Sequence, residues 1–266
     1  MTTHNTTTRN TTTRIEAPAK LTLSLRVTGV RDDGYHLIDA EMVSLDICDV
    51  ITLAPSESPS LSITGPHASG ISTGSDNLVM RALALTHRSA NISVEKNIPA
   101  GGGLGGGSTD AAAILRWAGF GDLGRAAAIG ADIPFCMIGG RAQVEGIGEI
   151  VTPLPYQHQD ITLIIPPLHV STPAVYRMWD EMGGPRHESG NDLEPAAIAV
   201  EPRLAKWKDI ITEACAMTPT LAGSGATWFV TGHHKALKTA HNSAIHDATI
   251  VFTSTRRDAG SVSVEP

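Results

Sequence analysis

The chain has 266 residues and is 41% hydrophobic, enough for one large domain or two modest ones with ample core. Its formal net charge is −7 with no basic block, which argues against a nucleic-acid or anionic-membrane surface. No apolar run reaches the ~18 residues of a membrane span. Cys48, Cys136 and Cys215 have no CxxC pairing or zinc spacing and are expected as reduced thiols of a cytoplasmic protein.

In chain order, the opening MTTHNTTTRNTTTR is a low-complexity leader, expected as a disordered tail over residues 1–14. It lacks the apolar stretch of a secretory signal. Residues 20–27 alternate strictly, with Leu21, Leu23, Leu25 and Val27 on one face and Lys20, Thr22, Ser24 and Arg26 on the other. That pattern predicts a half-buried strand whose polar side is free to line a cleft. Asp33-Gly34 then supplies turn chemistry, and a second alternating strand is expected from about Met42 to Leu53. A loop-rich stretch follows, with a short strand near Leu61 to Thr64. Asp76 or Ser75 is expected to cap a helix running to about His87, and NISVEK reads as a strand leading into residues 98–119, IPAGGGLGGGSTDAAAILRWAG.

Six glycines in seven positions before an alanine-rich helix must serve close approach or unusual dihedrals, because each loses extra entropy on folding. A glycine turn entering a helix is a ready anion site: the first amides have no internal partner and the dipole favours negative charge. Ser108 or Thr109 is expected as the N-cap, with a hydroxyl also available to a phosphate-bound metal. A flexible linker and a dinucleotide fingerprint, formally matched at Gly101, Gly103 and Gly106, compete with this reading. The fingerprint wants a βαβ unit that GFGDLG does not offer, and no GK[ST] follows for a Walker loop. A nucleotide triphosphate on a non-Walker loop remains.

Beyond the loop, GDLGRAAAIGADIPFCM is expected to hold a short helix and a turn, and RAQVEGIGEIV a bent strand. PLPYQHQD marks a boundary, giving segments 15–157 and 158–266. ITLIIP begins a new strand. STPAVYRMWDEM predicts a helix capped by Ser171 or Thr172, with a Val175, Met178, Trp179 and Met182 stripe. Leu204, Trp207, Ile211 and Ala214 give a second stripe. Strands around TLAGSGATWFVTG, a further helix and a last strand at ATIVFTS complete the chain. Elements mix without a regular βαβα alternation, so the expected class is α+β in two domains.

PAGGGLGGGSTDAA resembles the second motif of the GHMP kinase superfamily, and APAKLTLSL and LAGSGATWFV resemble its first and third, in order. DDGYH, GADIPFCMIGGRAQVEGIGE, VSTPAVY and NDLEPAA are similar to the branch that phosphorylates 4-diphosphocytidyl-2-C-methyl-D-erythritol. The resemblance spans Ile15 to about Val230. It implies a ribosomal-protein-S5-like N-terminal domain, a ferredoxin-like C-terminal domain and an active site in the cleft between them. It further implies ATP as phosphoryl donor, Mg²⁺, a small-molecule cytidyl substrate, neither nucleic acid nor membrane as partner, and a monomer or weak homodimer.

Residue by residue, the resemblance assigns Lys20 and Asp132 to catalysis, with an ammonium able to keep the carboxylate ionised. It assigns Pro99, Ala100, Gly101, Gly102, Gly103, Leu104, Gly105, Gly106, Gly107, Ser108 and Thr109 to ATP, with Ser108 toward the metal. Thr22, Tyr35, His36, Gly223, Ser224 and Gly225 fall on the substrate side, Tyr35 as a ring that can stack on cytosine. Thr22 stands where the family motif has asparagine, and the segment before Asp132 is short for the family. A different GHMP small-alcohol kinase, an NAD-binding oxidoreductase and a non-catalytic nucleotide binder are the alternatives.

Overall fold

A computed structural model describes residues 11–238 and 247–265. Its backbone is a long antiparallel pair, β1 (Thr12–Val30) and β2 (His36–Pro55), joined by the Asp33-Gly34 turn with Gly34 at φ 85°. β1 begins earlier than the leader's composition suggested. Thr12 and Thr13 pair with Glu265 and Val264, because β-branched residues suit a strand once partners flank it. Residues 1–10 lie outside the described residues.

The single apolar face expected for Leu21 to Val27 is corrected by a bulge between Thr22 and Ser24. An extra residue there turns the rest of the strand over. Leu21, with Leu23 against it, packs in a small core with Val43, Leu45, Ile98 and Leu104, whereas Leu25 and Val27 join the main core.

β2 pairs with β4 (Ala90–Glu95) along its later half and with β5 (Arg141–Gly146) along its earlier half. β3 (Ser60–Thr64) runs parallel to β4, and β6 (Ile150–Pro153) closes a hairpin on β5. The helices α1 (Leu78–Thr86), α2 (Gly106–Trp117), α3 (Leu123–Ala127) and α4 (Ile133–Ile138) supply apolar residues to the main core, where Ala111 to Leu115, Ile133 and Phe135 are wholly buried. Asn77 caps α1, its side chain accepting from Val79 N at 2.8 Å; Asp76 instead takes the Ser72 hydroxyl. The short segment before Asp132 folds as one brief helix, α3, with Ala126 fully buried in the main core.

The later half forms an antiparallel set in the order β10 (Thr249–Arg256), β7 (Asp160–Ile165), β9 (Trp228–Thr231), β8 (Thr220–Leu221). Among the described residues, the α-helices α5 (Thr172–Glu181), α6 (Glu194–Val200) and α7 (Arg203–Cys215) accompany it. The further helix expected before the last strand begins as a 3-10 turn at Lys235–Lys238, its remainder lying outside the described residues. The stripes Val175/Trp179 and Leu204/Trp207/Ile211 are buried as their spacing requires, while Met182 at the end of α5 is exposed. The class is α+β in two halves. The chain then returns: the end of β10 pairs with β2, and a strand absent from the sequence reading, β11 (Val262–Glu265), pairs with β1. No helix among the described residues is long and apolar enough to cross a membrane.

Candidate active site

The glycine loop turns by placing Gly101, Gly103 and Gly105 at φ 75°, 70° and 71°. Left-handed residues alternating with ordinary ones aim successive N–H groups to one side and make an anion-holding concavity. The helix starts earlier than expected. Gly105 is the N-cap of α2, which corrects Ser108 and Thr109 as caps. Ser108 lies in the first turn, whereas Thr109 is 1% exposed and faces the core, so its hydroxyl reaches neither cavity described below. The loop is fixed from behind: Lys20 N donates to Leu104 O at 2.9 Å, and a Cβ on Gly103 would stand 3.0 Å from Gly225 O.

Two cavities meet at this loop. The smaller, about 380 Å³, is lined by Pro99 to Gly107 together with Asn77, Leu78 and Lys96. The larger, about 810 Å³, is lined by Lys20, Thr22, Tyr35, His36, Ser108, Asp132, Gly223 and Ser224 among others. Gly103 and Gly105 line both. Gly225 lines neither; a Cβ on it would meet Leu221 at 3.4 Å, so it serves the turn rather than the cleft.

At the junction, Lys20 Nζ is 3.2 Å from Asp132 Oδ2. β1 carries the lysine, 7% exposed, and its ammonium also donates to Thr22 Oγ1 at 3.3 Å, so the threonine orients it. Asp132 is the N-cap residue of α4 yet makes no side-chain cap bond, and Pro134 occupies the first turn. The carboxylate is therefore free to face the cavity.

Behind the loop lies a cluster that the sequence reading missed. Lys96 Nζ, buried, is held by Asp49 through a short ion pair and by Asp110 Oδ2 at 2.6 Å. Asp49 accepts as well from Asn97 N at 2.6 Å and Ile98 N at 2.8 Å, tying the start of the loop to β2. Burial, aided by the neighbouring Asp49 charge, pushes the Asp110 carboxyl up to about 7, and its Oδ1 has no partner. One signal was available: Asp49 shares strand parity with Leu45, Ile47, Ile51 and Leu53, and a charge on an apolar face demands a buried partner.

The far end of the larger cavity is aromatic. Tyr35 is 60% exposed at its rim. The His36 ring is occupied: Nε2 lies 2.8 Å from Asp180 Oδ1, and its centroid is 4.6 Å from that of Tyr176. Tyr176, Arg177 and Asp180 come from α5 and line the same cavity; none was singled out from the sequence. Burial first, then the Asp132 charge, raises the Tyr176 phenol above its ordinary value, so it stays neutral. Thr172 Oγ1 and Ser224 Oγ, 2.7 Å apart, tie the start of α5 to the glycine turn.

A model of the GHMP kinases N terminal domain matches residues 77–140. The chain is 43% identical over 235 residues to the 4-diphosphocytidyl-2-C-methyl-D-erythritol kinase of Paracoccus denitrificans (strain Pd 1222), covering 81% of this chain and 85% of that one. The chain belongs to the 4-diphosphocytidyl-2-C-methyl-D-erythritol kinase family. Another member, from Ruegeria pomeroyi (strain ATCC 700808 / DSM 15171 / DSS-3), is 39% identical over 80% of this chain and 86% of its own. A crystal structure of 4-(cytidine 5'-diphospho)-2C-methyl-D-erythritol kinase superposes with a TM-score of 0.73 at 28% identity, covering 91% of this chain and 98% of that one. Homoserine kinase from Cytophaga hutchinsonii superposes with a TM-score of 0.61 at 16% identity over 99% of this chain and all of that one, which shows the shared fold alone.

Membership of the 4-diphosphocytidyl-2-C-methyl-D-erythritol kinase family sets aside the dinucleotide reading, and so does topology. The described strand following α2 in sequence is β5, which pairs antiparallel with β2 and β6, so no βαβ unit forms around the loop. Among the described residues, no three acidic, histidine or cysteine side chains converge as a metal cage. Ser108 faces the cavity beside Asp132, whose Oδ2 already answers Lys20. This donor set fits a magnesium ion that arrives on phosphate oxygens and takes few ligands from the chain.

Proposed function

We propose that this protein transfers the γ-phosphoryl group of ATP to the 2-hydroxyl of 4-diphosphocytidyl-2-C-methyl-D-erythritol, a step toward isoprenoid precursors by the non-mevalonate route. The nucleotide occupies the smaller cavity and lays its phosphates across the amides from Gly101 to Ser108. The acceptor occupies the larger one, so the two substrates meet over Gly103 and Gly105. The single observation that carries the reading is the Lys20–Asp132 pair, 3.2 Å apart, on the acceptor side of that junction.

Phosphoryl transfer asks a protein mainly for positioning and charge stabilisation. Asp132 accepts the proton of the acceptor hydroxyl as the new O–P bond forms. The bond from the γ-phosphorus to its bridging oxygen breaks, and ADP carries that electron pair away. Lys20, 3.2 Å from Asp132, holds the carboxylate in place and balances charge on the transferring group. Ser108 would help to hold a magnesium ion, which would supply charge neutralisation for the triphosphate. Tyr35 and Tyr176 frame a slot for the base, and Arg177 offers the acceptor's diphosphate a cation from α5.

Incubation with ATP, Mg²⁺ and the cytidyl substrate, read by mass spectrometry and ADP release, tests this. A singly phosphorylated cytidyl product formed with matching ADP is expected. Preferential phosphorylation of homoserine or mevalonate, or no transfer at all, overturns it.

A further inference from the structure

The segment Gly190–Asn191–Asp192, whose last two residues open NDLEPAA, touches both walls of the larger cavity, and the reaction above gives it no role. We infer that Asn191 and Asp192 form a two-headed clasp that sets the gap between β1 and the Gly223–Gly225 turn, and so positions the acceptor. The inference rests on the proposed reaction.

One head grips β1. Leu25 N donates to Gly190 O at 2.8 Å and Asp192 N to Leu25 O at 2.9 Å, a single strand-like bridge. The Asp192 carboxylate is wholly buried. It accepts from Val27 N at 3.1 Å, His187 N at 3.1 Å, Arg26 at 2.6 Å and Arg186 at 3.0 Å. Burial alone would raise this carboxyl, but Arg26 and the two backbone amides outweigh it and hold the group below the usual carboxylate range.

The other head grips the turn. Asn191, 1% exposed, donates its amide hydrogens to Leu221 O at 2.9 Å and Gly223 O at 2.7 Å, while its Oδ1 accepts from Leu193 N at 3.0 Å. Two donors and one acceptor on a single short side chain are an amide's inventory; a carboxylate of the same shape would face two carbonyls.

What the clasp spans is the acceptor side. Leu25, Leu193 and Gly223 line the larger cavity, and a Cβ on Gly223 would stand 3.9 Å from Thr22 Oγ1, on the strand that carries Lys20. A neighbouring pair, half-buried Lys208 and buried Glu194 at 2.5 Å, joins α7 to α6, and neither residue lines this cavity. It is the control for a purely structural loss.

The test is steady-state kinetics, with folding checked by circular dichroism and melting. Asn191→Ala and Asn191→Asp are expected to raise the acceptor KM at least about tenfold while the ATP KM stays within about twofold, since small displacements beside a reacting group are costly. Asp192→Asn, which keeps the shape and loses the charge, is expected to show a smaller rise of the same kind. Lys208→Met is expected to lower Tm without separating the two KM values. Folded Asn191 variants with both KM values unchanged, or shifted equally, overturn the clasp. Should neither Asn191 variant fold, Asp192→Asn decides by the same split, and its absence overturns the clasp. A wild type without turnover overturns the reaction and the clasp with it; an active wild type with unsplit variants overturns the clasp alone.

Discussion

Gly105 and Lys20 are packed so closely that a Cβ on the glycine would stand 2.6 Å from Lys20 Cγ. The first residue of the helix cap thus limits where the ammonium can go, and both residues border the junction of the two cavities. Gly105→Ala would collide with that stem and force an L residue to φ 71°, a conformation costing roughly 1–2 kcal/mol by itself. The expected outcome is a kcat lowered about a hundredfold with the fold retained, because displaced reacting groups lose rate steeply. Gly121→Ala, where nothing lies within 4 Å of the new methyl, is the neutral comparison in the same assay.

Asp132→Asn keeps the shape of the side chain and removes its ability to take a proton. Lys20→Ala removes the charge that faces it. Each is expected to lower kcat roughly 10²–10⁴-fold with the ATP KM little changed, as for loss of a positioned acid–base group. Near-normal turnover in either variant, measured at saturating ATP, would take that residue out of the chemistry.

Tyr176 packs against His36 at 4.6 Å between centroids and lines the acceptor cavity. Tyr176→Ala is expected to raise the KM of the cytidyl substrate about five- to 150-fold, the equivalent of roughly 1–3 kcal/mol of base stacking. Tyr176→Phe, which keeps the ring, should stay close to the wild type. Equal KM values in the alanine and phenylalanine variants would contradict a stacking role.

Two carboxylates, Asp49 and Asp110, share the one ammonium of Lys96 behind the loop. With the folded carboxyl of Asp110 at about 7 against 3.8 normally, the folded chain keeps a proton that the unfolded chain has lost. Stability from this group therefore falls as pH rises from 3.8 to about 7 and is level above it. Asp110→Asn has no such group. Its Tm relative to wild type is expected to climb across that window and then stay flat, as read by scanning fluorimetry. A pH-independent difference would rule out a titrating Asp110.

Much of the fold could be read locally. The alternation of β2, the apolar stripes of α5 and α7 and the glycines ahead of α2 each obey a rule that needs only neighbouring residues. Where that rule failed, a partner from elsewhere had intervened. Thr12 to Arg14 looked like tail because their composition is polar, yet β2 and β11 flank them and satisfy their backbone. Asp49 and Lys96 each looked like ordinary charges on a strand, and only the packing of β2, β4 and α2 brings them into one buried group with Asp110. Tyr176 and Asp180 lay within the predicted helix but off its apolar stripe, and nothing local marked them, since their relation to His36 crosses from one half of the chain to the other.

The sequence alone determined the local conformations: where the chain alternates, where it coils into helix, and where only glycine allows the backbone to turn. The tertiary structure decided which way β1 faces after its bulge, that Lys20 reaches Asp132, and that α2 is capped by Gly105. Local periodicity follows from backbone geometry shared by every chain, whereas a meeting of distant side chains depends on strand register and layer packing, which no short window of residues specifies.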